Sequence, residues 1–293
     1  MSLRVSIREQ YRTLEQKIKF FRHHGYRLDL DNPRSFNEKI IWRKVFDRNP
    51  LLPSIVDKIA ARDYVIEKLG KETGGQILVP LLFVAENPED IPFSNLPEEY
   101  IVKPNHGSGW SVIVDKEHRV PHERIVSQCR KWLRKTYGRS KMEWAYSRIT
   151  RCIIVEKLLK NSQGRLVSDF KFHVFGGRVE WVFVMHDRFG PRSSARYLRD
   201  FSRMGNDSQA YQAARNIDRP ENFEQMVEIA EKLAEDFDYI RVDLYNVEGA
   251  IFFGELTIYP GSGFNQMGME MDFRMGEKWE LDRRFARDFR PWF

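Results

Sequence analysis

The stretch Tyr239-Ile-Arg-Val-Asp-Leu-Tyr-Asn-Val-Glu-Gly-Ala-Ile-Phe-Phe-Gly-Glu-Leu-Thr-Ile258 decides the reading of this chain. Apolar and polar residues alternate on either side of Asn246–Gly249, which predicts two strands joined by a tight turn. On the first strand Arg241 and Asp243 share a face, and Val242 and Leu244 take the other. On the second, Glu255 and Thr257 share a face. A three-residue loop with Gly249 left-handed would place Asp243 opposite Phe253 and Arg241 opposite Glu255. Asp243 and Glu255 then become diagonal neighbours, about 7–8 Å apart. Two carboxylates so placed can hold a hard divalent cation, and an arginine beside them suits an anion such as phosphate. The same pattern also describes a hairpin with a solvated polar face and a cross-strand Arg–Glu pair.

Working outward, the 293 residues are 42% hydrophobic and 31% charged, enough for one large domain or two smaller ones. No apolar run reaches the ~18–20 residues of a membrane span, and the first ten residues lack the apolar core of a signal peptide. Cys129 and Cys152 form no metal-ligand pattern and read as reduced, buried thiols of a cytoplasmic protein. The net charge of +6 comes from 48 bases against 42 acids. It admits nucleic acid, an anionic membrane or an acidic small substrate, although a surface of mixed sign explains it equally.

Residues 4–24 read as a basic amphipathic helix. Ile7, Tyr11, Leu14, Ile18 and Phe21 form its apolar stripe, expected to pack on its own domain, with peripheral membrane contact as the alternative. A second helix is expected over about 35–46. A third starts at Ser54 and is closed by Gly70, with Lys58 and Arg62 one turn apart. Residues 71–99 read as connections around a short apolar segment. From residue 100 strands predominate, with helices at about 121–137 and 221–237. The expected organisation is a helical region over 1–52 followed by a domain over 53–293, divided near 155.

Four further segments suggest chemistry. Lys103-Pro-Asn-His-Gly-Ser-Gly109 lies between two strands; its glycines let backbone N–H groups approach an anion, and the lysine adds a point charge. Glu156-Lys-Leu-Leu159 ends a strand whose free backbone groups can meet the edge of a base. Asp169, Lys171 and His173 share one face of a strand, either solvated or occupied by a ligand. Residues 188–203 contain Arg188, Arg192, Arg196, Arg199 and Arg203, and read as a mobile basic loop suited to closing over phosphates.

Taken in order, these segments resemble the ATP-grasp superfamily. Phe36-Asn-Glu-Lys39, Lys103–Gly109 and Gly254-Glu-Leu-Thr-Ile-Tyr-Pro-Gly-Ser-Gly263 resemble its teichuronopeptide-biosynthesis branch, over about residues 30–270. The resemblance implies an α+β fold in which two subdomains with antiparallel sheets clamp ATP. It implies nucleotide contacts from Lys58, Lys103, His106, Gly107, Ser108 and Gly109. Glu156, Lys157 and Leu159 would read adenine, and Asp169 the ribose. Arg241, with Lys171 and Arg196, would serve the transferred phosphate, and Asp243, Glu255 and Thr257 would hold Mg2+. Many superfamily members carry Asn where Thr257 stands, which leaves the binding of a second magnesium open.

The implied activity is ATP-dependent carboxylate–amine ligation through an acyl phosphate. An acidic sugar or glycan carboxylate would be the acceptor and an amine the co-substrate, with no nucleic acid. A kinase of the same fold is the nearest alternative. A non-catalytic nucleic-acid-binding protein is kept open by aromatics among the arginines of Phe170–Tyr197.

Overall fold

A computed structural model describes residues 7–186, 193–204, 212–213 and 217–288. The first helices are α1 (Ile7–His24), α2 (Phe36–Val45), α3 (Leu52–Val56), α4 (Ala60–Leu69) and α5 (Lys71–Ile77). Strands β1 (Leu81–Ala85), β2 (Tyr100–Pro104) and β3 (Val112–Val114) follow, then α6 (His122–Arg134) and β4 (Ile153–Lys157). Next come β5 (Asp169–Phe175), β6 (Arg178–His186), β7 (Ser193–Leu198), β8 (Gln212–Ala213) and α7 (Phe223–Leu233). The hairpin β9 (Tyr239–Val247) and β10 (Ala250–Thr257) precedes α8 (Met269–Glu277).

The strands form two sheets, ordered β1-β4-β2-β3 and β10-β9-β5-β6-β7-β8. All pairings are antiparallel except β7–β8. This is the α+β architecture expected from the sequence. In the larger sheet Phe170, Phe172, Val242 and Leu244 point to one face and are buried with Phe223, Met226, Val227, Ala230 and Leu233 of α7. The smaller sheet buries Val102, Ile153 and Val155 with Ile125, Cys129 and Trp132 of α6. Of the two cysteines expected to be buried, Cys129 is, whereas Cys152 is half-buried.

Local sequence accounts for α2. Ser35 accepts from the Glu38 N–H, and Glu38 returns a bond to the Ser35 N–H, a reciprocal cap for the first turn. The helix is then anchored by Arg43, which donates to Tyr239 O at 2.8 Å, pairs with Asp238 and stacks over the Trp279 ring. Lys44 donates to Ser262 O at 2.9 Å. The N-terminal helices therefore brace the strand-to-turn junction at the end of β10.

Four expectations need correction. The helix begun at Ser54 is instead two: α3 starts with Pro53 in its first turn, Asp57 is extended, and α4 begins at Ala60. Gly70 does close α4, but residues 71–77, read as a connection, form α5, whose Gly74 lies against the Ile66 backbone. Residues 193–198 of the arginine-rich stretch are a strand, β7, whose Ala195 and Tyr197 enter the core and whose Arg196 is buried. Arg188 and Arg192 lie outside the described residues. Finally, α1 turns its apolar stripe outward: Ile7, Tyr11, Ile18 and Phe21 are exposed, while Gln10, Thr13, Gln16 and Phe20 are buried. Among the described residues no helix is long and apolar enough to cross a membrane.

Candidate active site

The hairpin register differs from the expected one at two points. The turn has two residues, Glu248 and Gly249, between the paired Val247 and Ala250. Both have positive φ, at 51° and 91°, as a two-residue turn matched to strand twist requires. Pairing then runs in step to Leu244–Phe253, where Gly254 is inserted as a bulge, and it resumes with Asp243 opposite Glu255 and Arg241 opposite Thr257. The two carboxylates are thus direct cross-strand partners rather than diagonal ones, a separation of about 4.5–5.5 Å between Cβ atoms. Were Gly254 paired in regular register instead of bulged, Asp243 would face Gly254 and Glu255 would point toward the core. Glycine suits the bulge: a Cβ there would lie 3.0 Å from Asp243 O and 3.0 Å from the Tyr245 ring.

The polar face so formed is buried, not solvated. Asp169, Lys171, His173 and Asp243 each expose less than a tenth of their surface. Charge pairing makes that burial tolerable. Arg241 Nε donates to Asp243 Oδ1 at 2.6 Å, and its Nη2 to Asp243 Oδ2 at 2.7 Å and Thr257 Oγ1 at 3.0 Å. Lys171 Nζ lies 2.7 Å from Asp243 Oδ2 and 3.3 Å from Asp169 Oδ2. Burial opposes ionisation of Asp243, but Arg241 and Lys171 outweigh it and hold its carboxyl below the usual range. Burial and the neighbouring Asp243 likewise oppose ionisation of Glu255, and Lys58, Arg241 and Lys171 prevail. His173, bonded to the Tyr239 hydroxyl at 2.9 Å and stacked on Trp181, is driven well below its ordinary pKa by burial and by surrounding cations.

The smaller sheet supplies the opposite wall. Lys103, at the end of β2, pairs with Glu156 of β4 at 2.6 Å. Arg62 of α4 reaches the same carboxylate at 3.5 Å and donates to Val79 O. Lys58, at the break between α3 and α4, donates to Gly107 O at 2.6 Å, and its N–H bonds Asn105 O. The break thus lets one side chain clamp the glycine turn. Burial pushes the Lys58 ammonium down to about 8, with Glu255 opposing and Lys103 adding to the shift. Gly107 and Gly109 have φ of 82° and 75°, and a Cβ on Gly107 would strike the Tyr137 ring.

Between the walls runs a cleft of about 900 Å³, counting its open mouth. Lys58, Lys103, Gly107 and Gly109 line it, as do Glu156, Lys157 and Leu159. The large sheet contributes Asp169 and Glu255. Arg241, Lys171, Asp243 and Thr257 belong to the charged face contiguous with Glu255. Two residues expected at the nucleotide stand elsewhere. The His106 imidazole is fully buried, its pKa pushed down to about 4 chiefly by that burial, and it does not line the cleft. Ser108 is exposed and also outside the lining. Arg196 is held on β7 with its guanidinium 5.9 Å from the Trp181 and Phe183 rings, not on a free loop. Lys157 commits its N–H to Pro80 O at 3.0 Å.

Two contributors went unassigned in the sequence. Arg62 was visible as the residue one turn after Lys58. Tyr245 also lines the cleft, and its odd number places it on the face of Asp243. In the Pro260–Gly263 turn the Ser262 N–H bonds Tyr259 O at 2.9 Å.

The donor set fits magnesium. Among the described residues no group of three or more His, Cys, Asp or Glu could hold a metal. Were magnesium to bind here, Asp243 and Glu255 would be the carboxylates on offer, and phosphate and water oxygens would have to fill the remaining positions, as this ion prefers.

A charged β face opposed to a lysine-bearing glycine turn across an interdomain-like cleft defines the nucleotide-clamping ATP-grasp class. Residues 38–280 match the TupA-like ATPgrasp family, and the chain belongs to it. No curated protein is significantly similar in sequence. Among solved structures, the D-alanine–D-alanine ligase of Helicobacter pylori is 14% identical, with 83% of this chain and 64% of that chain covered and a TM-score of 0.44. The Bacillus anthracis D-alanine–D-alanine ligase complexed with ATP is 14% identical, over 78% and 68%, at 0.41. The ATP-grasp ligase PsnB complexed with minimal precursor is 12% identical, over 71% and 54%, at 0.40. The chain thus spans from a little over half to about two thirds of the length of these solved chains.

Proposed function

We propose that this protein is an ATP-dependent carboxylate–amine ligase whose acceptor is a hexuronate carboxylate of a bacterial surface glycan or its precursor. The observation that carries the reading is the facing pair Asp243–Glu255, locked on one surface with Arg241 and Lys171, across a cleft from Lys103 and Lys58. In this reading Lys103 and Lys58 hold the nucleotide phosphates under the glycine turn. Asp243 and Glu255 hold magnesium, which when bound supplies positive charge beside the transferring phosphate. Arg241 and Lys171 orient the γ-phosphate and offset its charge as it passes to the acceptor carboxylate. An amine then displaces phosphate from the acyl phosphate, forming the amide. Asp169 meets the ribose, and the residues after Lys157 meet the base.

The acidic acceptor rests on family membership and not on net charge, because Glu156, Asp169, Asp243 and Glu255 already balance Lys58, Lys103, Lys171 and Arg241. The test supplies hexuronates or uronic-acid oligosaccharides with a panel of amino acids. ADP release requiring both acid and amine, with an amide found by mass spectrometry, is expected. Phosphorylation of neutral sugars without any amide would replace the ligase by a kinase.

A further inference from the structure

Helix α1 is mounted with its polar side inward. Thr13 is fully buried, Gln16 exposes 2% and accepts from Lys44 Nζ at 3.1 Å, and Gln10 exposes 4%. The opposite side presents Ile7, Tyr11, Leu14, Ile18 and Phe21 to solvent, with Ile7 74% and Tyr11 67% exposed. These residues recur at spacings of four and three, so they form one continuous stripe about 21 Å long at 1.5 Å per residue. Lys19 and Arg22 follow one edge of the stripe, both exposed, against Glu15. They continue into a hollow shared with His23 and Lys141 beside the Gly261–Ser262 turn.

We propose that α1 docks this protein on an anionic membrane surface, lying in the plane of the interface with its stripe among the acyl chains and its basic edge at the headgroups. The charge decides between occupants. A second copy of the chain pairing stripe to stripe would bring two rows of Lys19 and Arg22 together, whereas acidic headgroups neutralise them. Tyr11 and Phe21 supply aromatic rings of the kind that sit well at the interface. The inner side of α1 is fixed to the rest of the chain, with His23 Nε2 3.0 Å from Phe264 O and His24 Nε2 3.1 Å from Gly263 O. Docking would therefore hold the whole protein, rather than a loose arm, at the surface. The inference does not depend on the ligase reading.

The test is co-sedimentation of the full chain with phosphatidylcholine vesicles, with and without phosphatidylglycerol, in the absence of nucleotide. Binding to the anionic vesicles only, weakened by salt, is expected. Ile18→Asp with Phe21→Asp should abolish it, and Lys19→Glu with Arg22→Glu should weaken it more than tenfold, at about fivefold per basic side chain. All four side chains are exposed, so both variants should keep the thermal melting curve of the parent. Absence of binding to anionic vesicles would overturn the proposal, as would equal binding by the stripe variant. So would a dimer seen by light scattering that the stripe variant dissolves while vesicles bind neither form.

Discussion

Lys171 on β5 and Arg241 on β9 grip the same carboxylate, Asp243, at 2.7 Å and 2.6 Å. The two cations have different other neighbours. Lys171 also reaches Asp169, whereas Arg241 also reaches Glu255 and Thr257. Asp243 is thus the common counter-ion of the buried face, and Glu255 a more accessible partner.

Replacing these acids should separate stability from turnover. Asp243→Asn leaves two buried cations without their shared partner, a loss on the order of 3–5 kcal/mol. Glu255→Gln should cost less, because its side chain is 26% exposed against 3% for Asp243. Both should lower magnesium-dependent ADP production by about 10²–10³-fold. Thermal melts and ADP release measured on the same samples check the contrast. Wild-type turnover in both variants would remove the metal assignment.

Lys103 faces the cleft but is tied to Glu156, so a nucleotide phosphate would compete with that carboxylate for it. Lys103→Ala should weaken ATP binding about tenfold or more while leaving adenosine almost unchanged, as expected for a contact to charged oxygens. Calorimetry with both ligands is decisive: equal losses would show that the side chain shapes the pocket rather than meeting phosphate.

The Lys58 ammonium gives a pH dependence of known sign. With its pKa brought from 10.5 down to about 8, the folded protein holds fewer protons than the unfolded chain between those values. Stability from this group therefore rises as pH climbs from about 8 toward 10.5. Phosphate binding needs the charged form, so ATP affinity should fall about tenfold between pH 7 and 9. Lys58→Arg, which stays charged, should flatten the affinity profile.

The junction between α8 and α2 offers a test of packing away from the cleft. Gly276 has no room for a side chain, because a Cβ would overlap Arg34 O and crowd the Ser35 backbone. Gly276→Ala must displace the capped start of α2, at a cost of about 3 kcal/mol or more. A substantial drop in melting temperature is expected; an unchanged one would mean that the two helices separate at little expense.

Much of the fold is local and was legible. Ser35 and Glu38 announce α2, the periodicity of Phe223–Leu233 announces α7, and Gly176–Gly177 marks the turn from β5 to β6. Same-face placement of Arg241 with Asp243 follows from strand parity alone. What escaped the sequence was set by tertiary context. The α3–α4 break depends on Lys58 and Asp57 bonding the loop at Asn105, nearly fifty residues on. Strand β7 is hidden because its core face carries only Ala195 and Tyr197, and the burial of Arg196 on the other face rests on rings from β6. For α1, amphipathicity identified the stripe but not its direction, since Gln16 finds its partner on Lys44 of another helix.

The extra residue at Gly254 makes this hairpin sensitive to counting as well as to chemistry. Phe253 and Glu255 are two apart, yet one enters the core and the other the cleft, because the bulge changes the parity between them. Pairing the same sequence without the bulge would turn Glu255 to the core side without altering any charged residue. A relative that lacks the residue at this point would need no bulge, because its glutamate would follow the phenylalanine directly and still fall opposite the aspartate. The acids therefore mark a competent site only where residue spacing and bulge together bring them opposite one another.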